Sequence, residues 1–137
     1  MSETKLENFE KALRQLNEMV AYKKSGIKDT FQIKMARDSL IQRFEFTFEL
    51  AWKSLADFLE SHMARLEFKT PRAVIKKAFQ MNIIEDEQLW ISLLESRNLM
   101  AHTYTEEAAT EIAEDIIKKF APEMNELLKK LKKHSEL

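Results

Sequence analysis

Residues 95 to 104 read Glu95-Ser96-Arg97-Asn98-Leu99-Met100-Ala101-His102-Thr103-Tyr104, and here the side chains able to do acid, base and anion chemistry converge. An imidazole, with an ordinary pKa of about 6.5, takes or gives a proton near neutrality, and a guanidinium stays charged and grips two phosphate oxygens at once. Asn98 and His102 stand four apart and share a helix face; Arg97 and Tyr104, seven apart, share another if the helix runs on. The set suits phosphodiester cleavage with a ribose 2'-hydroxyl as nucleophile, a reaction that requires no metal ion. A single His does not easily act as base and acid in one step. His62 and His134 fall on other elements and lack an Arg five residues before them. A two-fold dimer that brings both copies of Arg97 and His102 into one cleft supplies the second imidazole.

The blander alternative is that Arg97 and His102 cap a helix end and bond to core carboxylates such as Glu45 or Glu49. Those two Glu residues sit among aromatics, where carboxylates need partners; Arg43, Arg97 or Lys53 can supply them, and a structural ion pair is favoured over a catalytic role. No metal ligand set is expected, since the three His are scattered and Cys is absent. One Gly cannot build a phosphate-cradling loop, and no cofactor is expected. The basic tail, Lys129 to His134, reads as a solvated helix end rather than a nucleic-acid patch. Trp52, Trp90 and the nine Phe residues read as core or dimer interface rather than base-stacking platforms, because each falls on a helical apolar stripe.

The elements that position these groups are helical. Thr4 and Glu7 form a capping box ahead of Leu6, Phe9, Leu13, Leu16 and Val20, predicting a helix from about residue 5 to 23 that stops at Gly26. Asp29 or Thr30 then caps a long helix from about Phe31 to Arg65, with Phe44, Phe48, Ala51, Leu55 and Phe58 in its stripe. Thr70-Pro71 opens a short helix bearing Ala73, Val74, Ala78 and Phe79. A fourth begins near Asp86 and ends close to His102. Thr103 with Glu106, or Thr105 alone, caps the last helix, which Pro122 should kink around residues 118 to 121.

Composition sets the outer limits. At 137 residues the chain has room for one domain, residues 1–137, and with one Gly and two Pro it lacks the punctuation of a strand-rich fold. Its 22 basic and 23 acidic side chains nearly cancel, which implies no broad phosphate-binding surface. No apolar run approaches the ~18 residues of a membrane span, and the start carries no signal-peptide pattern, so a cytoplasmic protein is expected.

On the segment Arg43 to Trp52, Thr70-Pro71-Arg72, Trp90, and Arg97-Asn98-Leu99-Met100-Ala101-His102-Thr103-Tyr104, the chain resembles the nucleotidyltransferase substrate-binding proteins, a branch of the HEPN superfamily. That resemblance implies an all-α, antiparallel, up-and-down bundle of four to five helices that forms a homodimer. It also implies a partner, a separate minimal nucleotidyltransferase, in a heterotetramer or larger assembly. In toxin-like members the residues matching Arg97 and His102, with Asn98 beside them, cleave RNA without metal, and the partner silences the toxin by adenylylating the residue matching Tyr104. Other members of the branch are non-catalytic substrate-binding subunits.

Overall fold

A computed structural model describes residues 4–62 and 65–135. Helix α1 (Lys5–Lys24) starts where Thr4 accepts the Glu7 amide and stops before Gly26, whose φ of 87° is the left-handed value that a residue without Cβ adopts freely. The long α2 (Thr30–His62) is capped by Asp29, which accepts from the Gln32 amide at 2.9 Å. Its expected extension through residues 63 and 64 lies outside the described residues, and Arg65 is already non-helical. Helix α3 (Pro71–Gln80) opens on the Thr70 cap. It closes with Asn82 at a φ of 62°, while the Ile83 amide reaches back to the Ala78 carbonyl at 2.9 Å and buries Ile83 and Ile84 behind it.

Helix α4 (Glu87–His102) begins at Asp86, which accepts from Leu89, and ends at Thr103, where the chain turns extended. Of the two caps open for the last helix, Thr105 is the one used, accepting from Ala108. That helix runs as α5 (Glu106–Asp115), a π turn over Ile116–Phe120 and α6 (Ala121–Ser135). Pro122 has no amide to offer the Lys118 carbonyl, and the backbone answers with a widened turn, the Ala121 amide bonding to Ile116, where a simple kink was expected.

Among the described residues there is no strand. The long helices alternate in direction. Lys5 pairs with Asp57 and Thr47 bonds the Ala12 carbonyl, so α2 descends as α1 climbs; Glu10 with Lys132 and Asn17 with Asn125 set α6 antiparallel to α1. Phe44, Phe48, Phe120 and Trp90 form the centre of the core, with Phe44 and Phe120 stacked at 5.4 Å. Burying each such ring contributes roughly 1.5–3 kcal/mol. Of the nine Phe expected in the core or a dimer interface, Phe31, Phe46, Phe68 and Phe79 are exposed and lie outside the core. Phe79 falls just off the α3 stripe of Val74, Ile75 and Ala78, and Phe46 stands on the outer face of α2. No helix is long and apolar enough to cross a membrane among the residues described.

Candidate functional site

The motif residues lie along the last turns of α4 and the passage into α5, Arg97 against the middle of α2 and Tyr104 against its first third. Arg97 leans inward. Its guanidinium lies 5.7 Å from the Phe48 ring and 3.6 Å from a Glu49 carboxylate oxygen, so apolar packing holds the stem and charge holds the head. Glu49 also faces Lys53 at 3.4 Å, whereas Arg43 turns to Ser39 and Gln15. Glu45, one turn before Glu49 on α2, is half-buried; burial pushes its carboxyl above the ordinary range, and the Arg97 charge works against that rise. The Arg97–Glu49 ion pair of the bland sequence reading is therefore present. It coexists with an unmet demand, because the buried Nε of Arg97 has no hydrogen-bond partner among the described residues.

Asn98 and His102 lie on the outward side of α4 and are exposed. The helix does not run on to carry Tyr104 beside Arg97. After Thr103 the chain swings back toward α2, and the Tyr104 hydroxyl donates to the Asp38 carboxylate. Asp38 is in turn paired with Arg37 at 3.0 Å, and Arg37, only 7% exposed, reaches Glu106 in the first turn of α5 at 2.6 Å. Partial burial, and then the Asp38 carboxylate, raise the Tyr104 phenol above its ordinary pKa, against a lowering pull from Arg37. Bonding to Glu106 raises the Arg37 guanidinium, and the same bond lowers the Glu106 carboxyl.

Arg37, Asp38 and Glu106 carry no chemical signature along the chain. They meet through tertiary packing, and Glu106, read as half of a capping box, spends its carboxylate on Arg37. His62 and His134 both pack on Phe58 at the opposite end of the bundle and take no part. Lys132 and Lys129 are tied to Glu10 and Glu126, and Lys130 to the Ile83 carbonyl, as a solvated helix end would be. Among the described residues no cluster of three or more His, Cys, Asp or Glu is disposed to hold a metal ion.

Residues 4–133 match the family described as nucleotidyltransferase substrate binding protein like. The chain belongs to that family. It is also 27% identical, over 115 residues, to a Haemophilus influenzae protein named "Probable ribonuclease HepT", covering 77% of this chain and 76% of the relative. A crystal structure from Thermus thermophilus superposes with a TM-score of 0.76 at 32% identity, covering 90% of this chain and 98% of that one. A Haemophilus influenzae structure, described as revealing the fold of a substrate binding domain of a nucleotidyltransferase, superposes with a TM-score of 0.81 at 22% identity, covering 93% and 98%. At that identity the likeness concerns the fold, and it agrees with the helical bundle read from the periodicity.

Proposed function

We propose that the chain is the HEPN-type subunit of a two-protein system, a homodimeric, metal-independent endoribonuclease that a separate minimal nucleotidyltransferase silences by adenylylating Tyr104. The observation that carries this reading is the arrangement at the end of α4: a guanidinium braced by Phe48 and Glu49, an open imidazole, and a hydrogen-bonded phenol within one short stretch of chain. The family's description supports the nucleotidyltransferase partner, and the name of the Haemophilus relative supports cleavage of RNA.

In this reading Arg97 neutralises the scissile phosphate while one His102 takes the 2'-hydroxyl proton and a second protonates the departing 5'-oxygen. The 2'-oxygen bonds to phosphorus as the bond to the 5'-oxygen breaks, leaving a cyclic phosphate and a free 5'-hydroxyl. Five residues span about 1.4 turns, so Arg97 and His102 of one protomer point about 140° apart. A second copy across a two-fold axis answers that divergence by placing one subunit's imidazole at the other's guanidinium. Exposed Leu99 and Tyr104 beside His102 offer apolar surface for the contact. A nucleotide on Tyr104, two residues from His102, would bring bulk and negative charge to the cleft and obstruct substrate.

The alternative, a non-catalytic subunit that presents a substrate to the nucleotidyltransferase, is favoured by one observation: Arg97 already faces the carboxylate of Glu49. RNA cleavage in chelator separates the two. The wild-type chain should cut, and His102→Ala should lose about 10²-fold or more, the usual contribution of a general acid or base. Expressed alone, the wild type should arrest growth and its partner should relieve the arrest. Equal, negligible cleavage by wild type and His102→Ala would leave the binding subunit as the reading.

A further inference from the structure

Tyr104 is bonded to a carboxylate that stands 66 positions earlier in the chain, and that carboxylate is flanked by a nearly buried cation. We propose that Asp38 is the base through which Tyr104 accepts a nucleotide, with Arg37 holding that carboxylate in place. This rests on the reading of Tyr104 as the acceptor and adds the groups on this chain that make it one.

Three features of the geometry support the assignment. The phenolic hydrogen already points at an Asp38 oxygen, the alignment a proton transfer needs. Asp38 and Tyr104 are both about half exposed, so a second protein carrying a nucleoside triphosphate can reach them. Arg37, nearly buried and paired with both Asp38 and Glu106, fixes the Asp38 carboxylate against Tyr104 before any nucleotide arrives. A base is also required: an ordinary phenol is ionised in about one molecule in a thousand at pH 7, and burial raises this one further.

In the transfer, the Tyr104 oxygen bonds to the α-phosphorus of the triphosphate while its proton passes to the Asp38 carboxylate. The bond from that phosphorus to the bridging oxygen breaks, and pyrophosphate leaves with the electron pair. Asp38 then returns its proton to solvent. The product, a phosphodiester on Tyr104, has no hydrogen to donate and brings a negative charge beside Asp38. The original hydrogen bond cannot re-form, and the modified side chain is released from α2, two residues from His102.

The test follows the intact mass of the full chain incubated with its nucleotidyltransferase and ATP, from pH 6 to 9, for wild type, Asp38→Asn and Tyr104→Phe. Asn keeps an oxygen that can accept the phenolic hydrogen, so the fastening of Tyr104 survives while the basicity goes. Wild type should gain adenylyl units and Tyr104→Phe none. Asp38→Asn should be modified about 10²-fold more slowly at pH 7, with a steeper rise in rate toward pH 9 as solvent supplies phenolate. Asp38→Glu should recover much of the rate. Modification of Asp38→Asn at the wild-type rate and pH profile would overturn the role of Asp38 and leave the acceptor reading standing. No mass gain in the wild type would overturn both.

Discussion

At the scale of single residues, the site is governed by how carboxylates are matched to cations. Arg97 has Glu49 at 3.6 Å and Glu45 within electrostatic reach, yet burial outweighs that attraction at Glu45 and its carboxyl titrates above the ordinary range. A carboxyl whose pKa is higher folded than unfolded holds an extra proton in the folded state between the two values, so its contribution to stability falls as pH rises through that window. Glu45→Gln, which cannot ionise, should therefore raise the urea midpoint at pH 7, with the gain vanishing below the ordinary carboxylate pKa, where both side chains are neutral. A lower midpoint for the variant at pH 7 would mean that the attraction to Arg97 outweighs the desolvation. Glu106 has the opposite sign: Arg37 lowers its pKa, and the stabilisation from that pair is lost as acid titrates through the lowered value.

At the scale of elements, caps decide where the motif ends and the next helix starts. Thr103 leaves helical geometry, and Thr105 restarts it by accepting the Ala108 amide at 3.1 Å. Three non-helical residues, Thr103 to Thr105, thus turn Tyr104 back onto α2. The cap also holds the first turn of α5, where Glu106 meets Arg37. Thr105→Ala should cost about 1 kcal/mol of stability, or roughly 3 °C in a thermal melt. The same change should shift the Tyr104 ring signals in an NMR spectrum, because the loop loses its anchor on one side. An unchanged melting temperature would show that packing of Ala109 and Ile112 alone sets the start of α5.

At the scale of the whole molecule, the two ends of the bundle differ in kind. One end gathers Arg37, Asp38 and Tyr104, with His102 at the close of α4 beside them and Arg97 nearer the middle; the other gathers His62 and His134 around Phe58. Large apolar side chains stay exposed outside the core, among them Phe31, Met35 and Phe46 along α2. If the chain is the proposed nuclease, its cleft requires two copies, and sedimentation of the purified chain should then give about twice its mass of 16.2 kDa at the concentrations used to assay RNA cleavage. A monomer that cleaves at full rate would contradict the cleft.

Five helix starts were legible in the sequence, two of them as a choice between neighbouring caps, because capping and periodicity are local: Thr4, Asp29, Thr70, Asp86 and Thr105 each accept from the amide three residues on. That Arg97, Asn98 and His102 share one helix was legible for the same reason, whereas Tyr104 left it because α4 ends at His102. The partners of these residues were not legible. Which carboxylate meets Arg97, where Tyr104 turns once its helix stops, and which aromatics stay outside depend on how α2, α4 and α5 pack. Along the chain Asp38 is an unremarked acid; only packing sets it against Tyr104 and Arg37. Local free energies placed the helices, and contacts between distant segments decided what the site is made of.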